Sequence, residues 1–217
     1  LSSTKLILLQ GISGTGKTSL PYVMGKYFLN DTTIASVQPS WRDRTELFGY
    51  FNEFTKKFNE TDLLRRVYES SYTDDINVII LDELNIARVE YYFAEFLSLL
   101  ELPNPDERYI DVVSDVWDTD PVQLKDGRIK LPVNMWFIGT ANNDDSTFAI
   151  SDKVYDRAMI LDLDKKSERF VAPMTDGVRI SAEQFERICN EFNEKFAQYT
   201  INYTKAVVEL KQIIEKL

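Results

Sequence analysis

The sequence predicts an α/β protein in which helices cover both faces of a parallel, five-stranded sheet. Two segments of strand length, 77–81 and 135–140, each contain four consecutive apolar residues without polar alternation, which is typical of parallel strands buried on both faces. Three further apolar runs of strand length lie at 5–10, 33–37 and 159–163. Helical segments separate several of these runs, so the chain has the order expected of an αβα sandwich.

The predicted helices follow from the spacing of apolar residues. A first helix is predicted over 18–29, a second over 61–72 and a third over 89–101. Pro103 and Pro105 end the third helix, because proline cannot continue the hydrogen-bonded ladder.

Two short alternating segments, 109–113 and 128–131, interrupt the α/β pattern. Asp126 and Gly127 form a turn signal just before the second segment. We therefore expect a β-hairpin insertion over about 109–131.

Composition limits the function classes. The chain has 217 residues and a net charge of −10, which argues against a broad nucleic-acid footprint. It contains no histidine, so zinc sites with histidine ligands and histidine-based nucleophilic catalysis are excluded for this sequence. The single Cys189 cannot form an intramolecular disulfide and fits a reducing compartment. No run has transmembrane length and no signal peptide is evident, so we expect a cytoplasmic protein without membrane contact.

The strongest chemical signal is the segment Gly11–Thr18, which matches the phosphate-binding P-loop pattern G-x-x-x-x-G-K-[ST]. It lies between the first predicted strand and the first predicted helix, where the helix dipole and inward-pointing amides favour an anion. The alternative is a glycine turn with a solvated lysine. We expect a nucleoside triphosphate to contact the following residues: Gly11, Ser13, Gly14, Thr15, Gly16, Lys17, Thr18 and Ser19.

Polar residues at the ends of two later strands supply the rest of a hydrolytic site. The Thr18 hydroxyl and the Asp82 carboxylate are candidate Mg²⁺ ligands, and Lys17 is a candidate for the β- and γ-phosphates. Glu83 is a candidate for polarising the attacking water, and Asn142 for contacting the γ-phosphate or that water. The alternatives are acids that only cap a strand end and an ordinary turn asparagine.

Hydrolysis also requires a cation at the γ-phosphate, and the P-loop contains no arginine. The candidates are Arg88 and Arg157. Arg157 ends a short predicted helix before the last strand, from which it could extend into the site of a neighbouring subunit. The alternatives are a solvated Arg88 and an Arg157 paired with Asp152 or Asp156.

In this order the motifs resemble the core of AAA+ ATPases, over about residues 5–163. Residues 82–88 are similar to the D-E-x-N-x-A segment of the McrB-like and MoxR-like branch, also called the dynein-related AAA branch. Residues 139–142 with Asp145 are similar to its G-T-M-N-x-x-D segment, and residues 151–158 to its D-x-A-L-x-R-R segment.

The resemblance implies a Mg²⁺-dependent ATPase that works as a homo-oligomeric ring, a hexamer in this family, and remodels or translocates a protein or DNA partner. It assigns Lys17, Glu83, Asn142 and Arg157 to catalysis. No N-K-x-D guanine signature is present, which favours ATP over GTP. The alternatives are the GTP- or ATP-dependent motor subunit of a McrBC-like restriction system, with a nuclease partner or with DNA bound through other domains, and a nucleotide-gated regulatory module. A P-loop small-molecule kinase is disfavoured because no acceptor site is evident.

The implied organisation is a nucleotide-binding core over 1–165, followed by a linker and a helical lid or partial lid over 166–217. Ser181 and Gln184 have the spacing of a capping box, and a second helical segment is predicted over 207–217. The alternative is a purely structural helical hairpin. The second sensor of the family would be Arg179 or Arg187.

Overall fold

In the computed structural model of the chain, the described residues are 5–144, 147–166, 175–195 and 197. In chain order the strands are β1 (Leu6–Gly11), β2 (Thr33–Ser36), β3 (Tyr50–Asn52), β4 (Lys57–Asn59), β5 (Asn77–Asp82), β6 (Tyr109–Asp111), β7 (Leu124–Lys125), β8 (Arg128–Lys130), β9 (Met135–Asn142) and β10 (Met159–Asp162). The α-helices are α1 (Ser19–Tyr27), α2 (Thr45–Phe48), α3 (Asp62–Ser70), α4 (Val89–Tyr92), α5 (Ala94–Glu101), α6 (Asp152–Tyr155) and α7 (182–195).

Five strands form one parallel sheet in the order β10-β1-β9-β5-β2. The predicted mixed α/β class with an all-parallel five-stranded sheet is thereby confirmed. Strand β9 pairs with β1 on one side and with β5 on the other, so the carboxyl ends of all three strands meet at one edge of the sheet. Ligands of open α/β sheets bind beyond that edge.

Alternate side chains of the strands enter two separate cores. In β5, Ile79 and Leu81 pack under helices α2 to α5, whereas Val78 and Ile80 pack under α1 and α7. Because both faces are covered, a strand in the middle of the sheet has no polar face to expose. This explains the continuous apolar run in its sequence.

The helix predicted over 89–101 is divided into α4 and α5. Phe93 joins them with φ −112° and ψ −2°, away from the ideal helical values of about −63° and −42°, and its fully buried ring stacks on Phe96 with centroids 5.1 Å apart. Tertiary packing of this aromatic residue therefore overrides the helical spacing.

Two small antiparallel sheets lie outside the main sheet. The expected hairpin insertion is present as β6 and β8, with β7 added to make three strands. The hairpin β3–β4 was not predicted. Its turn is held by the Asn52 Oδ1 atom, which accepts the amides of Phe54 and Thr55.

Helix α7 begins with the predicted capping box. The Ser181 amide donates to Gln184 Oε1 at 3.0 Å, and the Gln184 amide donates to Ser181 Oγ at 3.2 Å. The second helical segment predicted over 207–217 lies outside the described residues. Within the described ranges, no helix is both long and apolar enough to cross a membrane.

Candidate functional site

The P-loop connects β1 to α1 in a backbone conformation that glycine alone adopts readily. Gly11, Gly14 and Gly16 have φ values of +136°, +76° and +88°. Gly11 is also tightly enclosed, because a Cβ atom there would lie 2.5 Å from the Leu163 carbonyl oxygen. The glycines of the motif are therefore required by the path of the chain.

The other motif residues surround this turn. Thr15 donates its hydroxyl to the Ile12 carbonyl at 3.0 Å, Ser13 is exposed, and Ser19 is the first residue of α1. The amino end of a nine-residue helix is thus directed at the loop, which adds its partial positive charge to that of the lysine.

Lys17 lies inside the loop, with only 7% of its surface exposed. Its Nζ atom donates to the carbonyl oxygens of Gly11 at 3.0 Å and Ile12 at 2.7 Å. Burial lowers the pKa of Lys17 below the ordinary lysine value, and the negative charges of Asp144 and Asp82 oppose that change. The loop therefore holds a charged ammonium group that is weakly hydrated.

Asp82, at the carboxyl end of β5, meets the loop directly. Its Oδ1 atom accepts the Thr18 hydroxyl at 2.6 Å and the Thr140 hydroxyl at 2.8 Å. The two candidate Mg²⁺ ligands predicted from widely separated segments, Thr18 and Asp82, are thus in contact. One hydroxyl and one carboxylate are a sparse set, and Mg²⁺ in such sites completes its shell with water and substrate phosphates.

Glu83 follows in the left-handed region, with φ 54° and ψ 46°. A non-glycine residue adopts this region at an energetic cost, and such residues occur in tight turns and cluster at functional sites. The Glu83 amide donates to the Thr140 hydroxyl at 2.9 Å. In the part of the chain that the structure describes, the carboxylate of Glu83 has no hydrogen-bond or ion-pair partner, and it is exposed to solvent at the edge of the sheet.

Asn142 is the last residue of β9 and lies beside the start of the P-loop, because the strand register pairs it with Gly11. The side chain of Asn85 fixes its backbone. Asn85 Nδ2 donates to the Asn142 carbonyl at 2.9 Å and to the Phe148 carbonyl at 3.1 Å, while its Oδ1 atom accepts the Asn142 amide at 3.2 Å. Asp145, the last residue of the similar family segment, lies outside the described residues.

Arg157 is not in the same place as the other candidate catalytic residues. It precedes β10, whose first residue Met159 pairs with Ile7 near the beginning of β1. The phosphate loop follows the other end of β1, about 15–20 Å away at the usual rise of a strand. Arg157 instead forms a 2.5 Å ion pair with Glu101 at the end of α5, whereas the alternative drawn from the sequence was a pair with Asp152 or Asp156.

The other candidate arginines also have partners in the chain. Arg88 is exposed, and its guanidinium lies 5.0 Å from the centroid of the Phe148 ring. Arg179 pairs with Asp75 at 2.5 Å, before the beginning of β5 and hence at the edge of the sheet opposite the P-loop. Arg187 lies 3.9 Å from Glu191 on the same helix.

Two site residues were missed from the sequence. Thr140 is 2% exposed and bonds both acids of the site, and Asn85 is 4% exposed and bonds the end of β9. The signals for Thr140 were its position at the end of an apolar strand and its place in the 139–142 segment that is similar to the family's G-T-M-N-x-x-D. Asn85 stood within a segment used for the family resemblance, but that segment gave it no role of its own.

The chain matches no protein-family model, and no curated protein matches it in sequence. Among the residues that the structure describes, no three histidine, cysteine or acidic side chains are grouped as a metal site. The geometry at the carboxyl edge of the sheet is therefore the basis for assigning a function.

Proposed function

We propose that this chain is a Mg²⁺-dependent ATPase of the P-loop class with an AAA+ type of core. The observation that carries the proposal is the 2.6 Å contact between the Thr18 hydroxyl and the Asp82 carboxylate, beside the buried ammonium group of Lys17. A structural glycine turn would require neither a buried lysine nor an acid from another strand at its end.

Nucleotide binding follows from the charges around the loop. Loop amides and the helix dipole stabilise the α- and β-phosphates, and Lys17 neutralises charge on the β- and γ-phosphates. Mg²⁺ would be held by Thr18 and Asp82 and would supply Lewis-acid stabilisation of the phosphate charge. Since Thr18 already donates to Asp82, only a small rearrangement is needed for both oxygens to face a cation.

Hydrolysis would use the groups next to this contact. The carboxylate of Glu83 is exposed and has no partner among the described residues, so it is available to accept a proton from water. Asn142, beside Gly11, would orient the water or the γ-phosphate. Thr140 and Asn85 hold these two groups by their backbones.

Two variants separate binding from chemistry. Lys17→Ala should weaken ATP binding about 10- to 100-fold, because a hydrogen bond to a charged group contributes about 1.5–3 kcal/mol. Glu83→Gln should bind ATP like the wild type but hydrolyse it about 10²- to 10⁴-fold more slowly. The control is Lys57→Ala, which removes an exposed lysine of β4. Unchanged ATP affinity in Lys17→Ala would contradict the proposal, and retained turnover in Glu83→Gln would remove the role of Glu83.

The position of Arg157 supports a ring in which each site is completed by a neighbouring subunit. Arg157 is about 15–20 Å from the P-loop of its own chain, so it would act on the nucleotide of another copy. A mixing experiment tests this. Arg157→Ala and Glu83→Gln should each be inactive, but an equimolar mixture should recover about a quarter of the wild-type rate, because one interface in four then combines the two intact halves. No recovery in a mixture that does assemble would exclude action in trans.

We propose that turnover drives movement of a protein or DNA partner, with ATP rather than GTP as the nucleotide. The absence of an N-K-x-D segment supports ATP. Competition of unlabelled ATP and GTP against a fluorescent ATP analogue tests the nucleotide. Hydrolysis rates with and without added DNA then distinguish a DNA-activated motor, as in a McrBC-like restriction system, from a motor that acts on protein.

A further inference from the structure

The segment after β10 passes across the phosphate loop. The Leu163 amide donates to the Gln10 carbonyl at 2.7 Å, which continues the pairing of β10 with β1 as far as the beginning of the loop. The next residues then lie against the loop glycines. A Cβ atom at Gly11 would be 3.2 Å from Asp164 Oδ1, and one at Gly14 would be 3.4 Å from Lys166 Nζ.

Lys166 therefore places a second ammonium group beside the middle of the loop, in the same chain. Its side chain is exposed, and among the described residues no hydrogen-bond or ion-pair partner engages it. The nearby carboxylate, that of Asp164, lies at Gly11 rather than at Gly14. The ammonium of Lys17 is a separate group, which is bonded to the Gly11 and Ile12 carbonyls.

We propose that Lys166 is a second phosphate-binding residue, which contacts the α- and β-phosphates of a bound nucleotide. This proposal rests on the proposed function, since it assumes a nucleotide in the P-loop. Amides in the middle of such a loop cradle the α- and β-phosphates, so a cation beside Gly14 is nearer to them than to the γ-phosphate. Lysine suits this position because its flexible stem and point charge adapt to a phosphate oxygen without a fixed geometry.

The proposal is tested by comparing ligands that differ in their number of phosphates and variants that differ in charge at position 166. Binding of ATP, ADP and adenosine is measured by calorimetry, with Mg²⁺, for the wild type and for Lys166→Ala, Lys166→Arg and Lys165→Ala. The last variant removes the same charge from the neighbouring exposed residue. We expect Lys166→Ala to weaken ATP and ADP binding equally, by about twofold to fivefold, as is usual for a solvent-exposed charge pair.

The same experiment includes three internal checks. Adenosine affinity should be unchanged in Lys166→Ala, Lys166→Arg should restore wild-type affinity, and high salt should reduce the difference between the wild type and Lys166→Ala. Lys165→Ala should bind ATP and ADP like the wild type.

The outcomes separate this proposal from the one on which it rests. If the wild type binds ATP and Lys166→Ala binds it equally well, Lys166 has no phosphate role and the ATPase proposal stands. If adenosine binding falls as much as ADP binding, the effect is on the fold of the site and the proposal is wrong. If the wild type binds neither ATP nor ADP, both proposals are wrong.

Discussion

Thr140 and Asp82 are joined across the neighbouring strands β9 and β5 by a hydrogen bond of 2.8 Å between the hydroxyl and Oδ1. The register that pairs Gly139 with Leu81 brings them side by side. The same hydroxyl accepts the amide of Glu83, so one buried neutral residue fixes the positions of both acids. Mutation of such outer groups typically costs about 10- to 100-fold in metal affinity or activity.

Thr140→Val tests this relationship. Valine has the shape of threonine but cannot bond either acid, so the hydrolysis rate should fall about 10- to 100-fold and the Mg²⁺ concentration for half-maximal rate should rise. Affinity for nucleotide without Mg²⁺ should change little. A Mg²⁺ titration of the hydrolysis rate measures both effects. Thr140→Ser, which keeps the hydroxyl, is the control. Equal hydrolysis rates for Thr140→Val and Thr140→Ser would show that the hydroxyl does not position the two acids.

The lowered pKa of Lys17 predicts a pH dependence of nucleotide affinity. The protonated ammonium binds phosphate, so affinity is constant below the pKa of Lys17 and decreases as the pH rises through it. Because burial lowers this pKa from the ordinary 10.5, the decrease should begin at lower pH than an exposed lysine would give. Binding measured from neutral to alkaline pH provides the check.

Lys17→Arg is the matched variant for this measurement, because arginine stays protonated throughout that range. Its affinity should be independent of pH even if it is lower overall. An identical alkaline decrease in both proteins would assign the titration to another group.

The strained backbone at Glu83 predicts that a substitution which relieves the strain raises the free energy of unfolding but lowers the hydrolysis rate. Glu83→Asn places a residue that tolerates the left-handed region at φ 54°, and it should raise the free energy of unfolding by about 0.5–1 kcal/mol. Hydrolysis should be lost, since the amide cannot accept a proton. Lys56→Asn is the control, because Lys56 has the same φ of 54° in the exposed β3–β4 turn. Lys56→Asn should gain similar stability and keep full hydrolysis, and a loss of stability in Glu83→Asn would refute the interpretation.

Much of the sheet and the first half of the site could be predicted because they depend on local patterns. The apolar residues before Asp82 predict a strand that is covered on both faces, and they form β5. The spacing of Gly11, Gly14 and Gly16 reports backbone conformations that these residues adopt in the structure. In both cases the physical cause acts within a few residues of the sequence.

The missed features depend on contacts between distant segments. Thr140 contacts Asp82 only because β9 lies between β1 and β5. Local sequence patterns do not determine the order of strands in a sheet. Lys166 reaches Gly14 only because β10 pairs with β1. The division of the helix at Phe93 arises from aromatic packing, which periodicity does not encode.

Asn85→Ala should weaken both the fold and the candidate site. It would remove the side-chain bonds to the Asn142 amide and the Phe148 carbonyl, while the Asn142 carbonyl would keep the Thr147 hydroxyl, and the loss should cost about 2–3 kcal/mol in the free energy of unfolding. Hydrolysis should decrease as well, because the end of β9 loses its support. Urea denaturation measures the first effect. Asn190→Ala, on the exposed surface of α7, should be neutral or slightly stabilising. Equal stabilities for the two variants would show that the Asn85 bonds contribute nothing.

The ring contacts of Phe185 predict that this residue contributes to the free energy with which α7 packs on the sheet. Its ring makes edge contacts with Phe28 and Trp136, each with centroids 5.5 Å apart. Phe185→Ala should lower the free energy of unfolding by about 1–3 kcal/mol through lost apolar burial and ring contacts. Ile188→Ala should change it by less than about 0.5 kcal/mol, because Ile188 is 52% exposed. Similar losses in both variants would mean that α7 is not held through Phe185.

The placement of β9 between β1 and β5 has a consequence for how the protein tolerates mutation. The strands that carry the phosphate loop and the acid pair are two inter-strand spacings apart, about 10 Å, and backbone hydrogen bonds set that width. We therefore expect conservative replacements inside the layers, such as Ile80→Val or Ile138→Val, to change the free energy of unfolding without moving the candidate site residues. The interior could then drift during evolution, or be redesigned for heat resistance, while the geometry of the candidate site is retained.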